Sequence, residues 1–205
     1  MKTRRILLML LLLVIQALPV AGASRPSIYV QTGLAMPASP EDFNSTWRSG
    51  YNLGMGLGKR ISSRVEMQGM FEYHSFPLND MGYLNSVGLT DAAASVSDGS
   101  ISLLTLFAHI KLLYPPKNSD KVLPYLIGGA GLFRKKSEEI NYSNGESFFR
   151  IPGKSESALG VDGGIGFDIL AGGTTFLTVE IKVVFGFTGN KSTVVIPLKV
   201  GVKID

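Results

Sequence analysis

Few side chains here could do acid–base, nucleophilic or metal chemistry, because the chain holds two histidines and no cysteine. The densest grouping is Glu72-Tyr73-His74-Ser75, which puts a carboxylate, a phenol, an imidazole and a hydroxyl in four consecutive positions. Those are the parts of a hydrolytic centre. On a strand, however, successive side chains point to opposite faces, so His74 and Ser75 cannot meet. His74 then reads as a rim residue bonded to loop groups, and His109, two positions from Lys111, as an interior packing residue. Two histidines without a cysteine supply no zinc-like cluster. Gly128, Gly129 and Gly131 lie inside a strand pattern with no helix after them, so they make no phosphate loop. No catalytic, cofactor or metal site is expected, and no enzyme.

The elements that position these residues follow from periodicity. From Val194 to Asp205, Val194, Ile196, Leu198, Val200, Val202 and Ile204 alternate with Val195, Pro197, Lys199, Gly201, Lys203 and Asp205. Period two means strand. The preceding segment sets Leu177, Val179, Ile181, Val183, Phe185 and Phe187 against Thr178, Glu180, Lys182, Val184 and Gly186. Further back, Val65, Met67, Gly69, Phe71 and Tyr73 oppose Arg64, Glu66, Gln68, Met70, Glu72 and His74, and Leu104, Leu106, Ala108, Ile110, Leu112 and Tyr114 oppose Thr105, Phe107, His109 and Lys111. No formal charge falls on the apolar rows.

The start of the chain reads as a cleaved secretory signal peptide over residues 1–23: basic Lys2, Arg4 and Arg5, ten apolar residues from Ile6 to Ile15, then Ala21-Gly22-Ala23. The run is short of the roughly 20 residues a membrane helix needs. Its removal leaves 20 − 3 = 17 Lys and Arg against 16 Asp and Glu, a near-neutral mature chain with both signs interspersed. That excludes a nucleic-acid stripe. Residues 24–205 amount to one domain.

Eight strands are expected, roughly at 28–36, 51–60, 64–75, 102–114, 122–135, 158–170, 175–187 and 194–204. Their connections alternate between long (37–50, 76–101, 136–157) and short (61–63, 115–120, 171–174). That parity is the order of an all-β, eight-stranded antiparallel up-and-down transmembrane β-barrel, with short turns in the periplasm and long loops outside. Aromatic residues stand near the row ends, Tyr51, Tyr73, Phe185 and Phe187 at the outer rim and Tyr114, Tyr125 and Phe167 at the inner one, as membrane-interface girdles require. Trp47 is placed above the outer girdle.

A soluble barrel also alternates, but glycine argues for a lumen. Gly54, Gly56 and Gly58 share a polar row and would lie opposite Gln68, Glu66 and Arg64, small residues facing long ones in a cramped interior. An eight-stranded barrel is filled by its own side chains. Arg64, Glu66, Glu72, His109, Lys111, Asp162, Glu180, Lys182 and Lys199 form the expected lumen polar network, with Glu180 beside Lys199, Asp162 beside Lys182 and Glu66 beside Lys111. The same residues could instead line a narrow polar path.

Trp47-Arg48-Ser49-Gly50-Tyr51-Asn52-Leu53-Gly54-Met55-Gly56-Leu57-Gly58, Lys59-Arg60-Ile61-Ser62, Phe71-Glu72-Tyr73 and Leu123-Pro124-Tyr125-Leu126-Ile127-Gly128-Gly129-Ala130-Gly131 resemble the outer membrane protein beta-barrel domain family, the small porin-like barrels of OmpA, OmpX and OmpW type. The resemblance covers essentially the whole mature chain. One departure is the ending Val202-Lys203-Ile204-Asp205, where such barrels often close on an aromatic residue. It implies a Gram-negative outer-membrane location, outer-membrane lipids and lipopolysaccharide as surroundings, the barrel assembly machinery as insertion partner, and a monomer. Three functions are compatible with it. The first is a structural or surface-contact role in adhesion or envelope integrity, with any external ligand met by the loops 37–50, 76–101 and 136–157. The second is a narrow porin-like channel, as OmpW likeness implies, and a distant third is a lipid-modifying enzyme resembling lipid A deacylases.

Overall fold

The computed structural model describes residues 25–205 except 87, 89–94, 98, 117–120, 144–147 and 190–191. The expected signal peptide, much of the 115–120 turn and parts of the outer loops fall outside the described residues. Eight long strands close into one barrel: β1 (Ser27–Ser39), β2 (Gly50–Arg60), β3 (Val65–Pro77), β5 (Ser100–Leu113), β6 (Val122–Ser137), β9 (Lys154–Gly172), β10 (Thr175–Gly186) and β11 (Thr193–Ile204). Each pairs antiparallel with its chain neighbour in the barrel, and β1 closes against β11 from Ile28 opposite Ile204 to Ser39 opposite Val194. No barrel edge is left unpaired, which is what a sheet in hydrocarbon requires.

One wall of every strand is aliphatic and turned outward. Val30, Met55, Ile110, Leu159, Ile165, Leu177 and Val200 are all exposed, whereas on the alternate positions Gln31, Glu66, Lys111, Asp168, Glu180 and Lys203 are buried. This inverts the soluble pattern. Along β10 and one residue past its end the apolar row runs 10 steps from Leu177 to Phe187. At about 3.3 Å per residue and a tilt of about 40° it rises roughly 25 Å, the height of an outer-membrane apolar band.

The short turns are at one end and the long connections at the other. The turn between β2 and β3 is closed by the Ser62 hydroxyl, which accepts from the Arg64 and Val65 backbone N–H groups at 3.3 and 3.1 Å. Arg60 and Glu66 are the last paired residues. The β2–β3 register differs from expectation by four residues, with Gly54, Gly56 and Gly58 opposite Glu72, Met70 and Gln68, because the turn runs on through Arg64 and β3 pairs with β2 only from Glu66, opposite Arg60. Gly173, at φ +55°, supplies the left-handed residue of the tight β9–β10 turn.

The outer loops carry structure that alternation could not reveal. Helix α1 (Glu41–Thr46) follows β1, helix α2 (Asp80–Ser86) follows β3, and β4 (Ser95–Ser97), β7 (Ile140–Ser143) and β8 (Phe148–Ile151) form a separate three-stranded sheet in the order β4-β7-β8. The third outer connection is shorter than expected, since β6 runs to Ser137 and β9 begins at Lys154.

Candidate functional site in the barrel interior

The inward rows stack three layers. Nearest the short turns, Lys203 Nζ lies 2.9 Å from Glu66 Oε2 and 3.1 Å from Asp205 Oδ1, Lys111 Nζ lies 2.7 Å from Asp168 Oδ2, and Thr178 donates to Asp168 Oδ1 at 3.1 Å. The Tyr29 hydroxyl donates to Glu66 Oε1. Lys111 Nζ also sits 3.7 Å from the centroid of the Tyr125 ring, a desolvated cation–π contact.

The middle layer is a chain of shared ion pairs. Lys199 Nζ is 2.5 Å from Glu72 Oε1 and 2.7 Å from Glu180 Oε1, while Lys182 Nζ is 3.0 Å from Glu72 and 2.8 Å from Asp162 Oδ2. His109 Nε2 approaches the same Asp162 oxygen at 2.7 Å, and the Tyr125 hydroxyl donates to Glu180 Oε2 at 2.9 Å. Among the described residues, five buried carboxylates (Glu66, Glu72, Asp162, Asp168, Glu180) meet four buried lysines (Lys111, Lys182, Lys199, Lys203). Charges so deep in a protein persist only when paired and hydrogen-bonded.

Above them the interior turns apolar. Ala35, Phe76, Ile101, Leu103, Phe107, Phe133, Val184 and Val195 from the barrel wall join Phe43, Trp47, Leu78, Tyr83 and Ile140 from the outer connections in one buried cluster. The Phe43 and Phe76 rings meet edge-on at 5.5 Å. Helix α1 and the residue that follows it thereby hang Phe43 and Trp47 into the barrel mouth, over which an open cleft of about 540 Å³ remains, lined among others by Phe43, Trp47, Lys135, Lys154 and Glu156.

Glycines make the large interior residues fit. A Cβ on Gly58 would stand 2.9 Å from the Tyr29 ring and one on Gly186 2.5 Å from the Phe133 ring, closer than side chains tolerate. Gly129, Gly164 and Gly166 leave equivalent room for His109, Lys182 and Tyr125.

Of the nine residues expected in the lumen network, Glu66, Glu72, His109, Lys111, Asp162, Glu180, Lys182 and Lys199 are brought together inside the barrel. Glu180 pairs in register with Lys199, and Lys182 reaches Asp162 diagonally, its register partner being Gly164. Glu66 stands opposite Lys111 in register, yet each takes another ion partner, Lys203 and Asp168. Arg64 is corrected: it is exposed in the β2–β3 turn, not in the lumen. Tyr125 is corrected as well, from an inner-rim girdle to a buried interior residue, because both rows of β6 from Val122 to Phe133 are apolar or glycine and its parity there cannot be read from sequence. Tyr51, Tyr73, Tyr114, Phe167, Phe185 and Phe187 do lie on the outward wall, with the Tyr51 and Tyr73 rings 6.2 Å apart.

His74 is buried beside Glu72, 3.6 Å away, and is no rim residue, while Ser75 faces the opposite wall. Trp47 turns into the mouth instead of standing over the girdle. Lys203, Asp168, Tyr29 and Thr178 were missed as network members. Lys203 and Asp168 share parity with Lys199 and Asp162, so the signal was present.

A closed antiparallel barrel with an aliphatic outer wall and a charged interior is an integral outer-membrane barrel. The chain belongs to the outer membrane protein beta-barrel domain family, whose sequence model matches residues 6–202. No curated protein sequence matches it. Among solved structures it is similar to Neisserial surface protein A (TM-score 0.58, 15% identity, 89% of this chain and 98% of that one). It is also similar to Ail, the attachment invasion locus protein of Yersinia pestis (0.50, 12%, 88% and 100%), and to the outer membrane protein OprG from Pseudomonas aeruginosa (0.50, 15%, 91% and 98%). These likenesses are of fold. The family places the protein in the outer membrane of a Gram-negative envelope.

Proposed function

We propose that this protein is a closed barrel that serves surface contact, holding structured outer loops at the cell surface, and that it catalyses no reaction. The observation that carries this reading is the filled interior. Ion pairs occupy the lower and middle lumen, and Phe76, Phe107, Phe133 and Val184 fill the section above. A solute path needs a continuous polar column, and an apolar layer interrupts it.

The outer end supports a contact role because its loops fold into defined elements. Tyr142 stacks on Phe149 with ring centroids 4.9 Å apart, Tyr83 meets Tyr142 edge-on at 6.0 Å, and Phe149 and Ile151 stay exposed on β8. Ordered apolar side chains presented to solvent mark interaction surfaces. The mouth cleft favours the channel reading, but Phe43 and Trp47 in its lining belong to the buried apolar cluster of the mouth.

The experiment compares cells displaying the intact barrel with cells whose residues 140–151 are replaced by a glycine–serine turn. Surface contact predicts loss of adhesion to host-type or abiotic surfaces with unchanged uptake of small solutes. Unchanged adhesion, or uptake that rises whenever the intact barrel is expressed, contradicts it in favour of a channel.

A further inference from the structure

We propose that Asn44, on the free face of helix α1, is an acceptor for an N-linked glycan, transferred during export from a polyisoprenyl-diphosphate oligosaccharide. The pattern starts in the sequence. Asp42-Phe43-Asn44-Ser45-Thr46 sets a hydroxyl two residues after the asparagine and a carboxylate two residues before it. Asn-x-Ser/Thr with no proline at x is the general acceptor spacing, and the added acid is the form that bacterial transferases take. Of the chain's eight asparagines, Asn44 and Asn141 carry both flanks, the second in Glu139-Ile140-Asn141-Tyr142-Ser143. Both lie in outer connections. Asn190 has Ser192 after it but Thr188 in place of the acid.

The fold separates the two candidates. At 100° per residue, Asn44 stands about 160° around α1 from Asp42 and Thr46, which line the mouth cleft. Its neighbours Phe43 and Trp47 are buried in the apolar cluster, whereas Asn44 itself is exposed. Among the described residues its carboxamide has no hydrogen-bond partner. A glycan on Asn44 therefore projects into solvent and displaces no packed group. Asn141 is half-buried on β7, the middle strand of the outer sheet, with Ser97 and Arg150 beside it in register. A glycan there would crowd those neighbours.

Helical geometry also sets the timing. On α1 the Asn44 amide and the Thr46 hydroxyl point to opposite sides, so a transferase that grips both acts on extended chain. The reaction thus falls in the periplasm, before the barrel closes. It balances without a redox partner. The Asn44 amide nitrogen bonds to the anomeric carbon of the first sugar, and the bond from that carbon to the diphosphate oxygen breaks. The polyisoprenyl diphosphate leaves with the electron pair, and the amide proton passes to a carboxylate of the transferase.

The test expresses the full chain in Gram-negative cells that carry a bacterial oligosaccharyltransferase and its lipid-linked oligosaccharide. Peptide masses are read on denatured whole-cell extract, so a variant that fails to fold is still scored. The expected result is one glycan on the peptide holding Asn44, lost in Asn44→Gln, Thr46→Val and Asp42→Asn and kept in Thr46→Ser and Asp42→Glu. The glycosylated chain should still show heat-modifiable migration, and in vitro the urea-unfolded chain should be modified while the refolded barrel is not. An unmodified Asn44 in cells that fully glycosylate a control acceptor would overturn the proposal. So would modification that survives Thr46→Val or Asp42→Asn, equal modification of the refolded barrel, or a folded fraction whose glycan sits on Asn141 instead.

Discussion

Lys199 lies 2.5 Å from Glu72 and 2.7 Å from Glu180, so replacing it with methionine leaves two buried carboxylates facing a single lysine, Lys182, at 3.0 and 3.9 Å. Breaking a buried pair from one side costs about 3 to 5 kcal/mol. Glu180→Gln is gentler, because Lys199 keeps Glu72 and the amide oxygen can still accept from the Tyr125 hydroxyl, which now donates at 2.9 Å. Its expected cost is about 1 to 3 kcal/mol, that of a perturbed buried hydrogen bond. In the double variant Glu72 retains Lys182 and no carboxylate is stranded, so the loss should fall short of the sum by about 1 to 2 kcal/mol. Reversible urea unfolding in lipid vesicles reads all four species. Additive losses, or a Glu180→Gln variant less stable than Lys199→Met, would refute the shared-lysine account.

Ile181→Arg puts a charge on the exposed lipid-facing row of β10 and should cost roughly 2 to 4 kcal/mol near the bilayer midplane, read from urea midpoints in vesicles. Phe133→Ala empties the centre of the apolar cluster and should cost about 3 to 5 kcal/mol in the same assay. Tyr29→Phe removes the hydroxyl that donates to Glu66 and should lower stability by about 1 to 3 kcal/mol. Arg64→Ser, in the exposed turn, should shift the midpoint by less than about 0.5 kcal/mol, and a larger loss would return Arg64 to the lumen.

Strand number, parity and wall orientation were legible because a two-sided strand writes its faces into alternate residues, as Val194 to Ile204 and Leu177 to Phe187 do. Glu180 beside Lys199 followed from the same alternation across a short loop. Parity failed where both rows are apolar or glycine, which is why Tyr125 was assigned to the wrong side. Register failed where a turn takes up residues that look like strand, as Ser62 does with Arg64 and Val65. The apolar cluster in the mouth was not legible, since it joins Phe43, Trp47 and Tyr83 to wall residues far away in the chain, and nothing local marks the loops as folding inward. Ion partners were legible only in part. Long lysines such as Lys182 and Lys203 reach across the barrel to Glu72 and Glu66, beyond their register neighbours.

The central claim is that the lumen is closed by its own side chains, and single-channel recording of the refolded protein in a planar bilayer tests it most directly. A barrel sealed by the Glu72–Lys199–Glu180 pairs and the Phe107 and Phe133 layer should insert without unitary conductance, while Phe107→Ala combined with Phe133→Ala should begin to leak. Stable unitary conductance from the unmodified protein, with an ion selectivity that shifts in Lys199→Met, would contradict the account and make the barrel a channel.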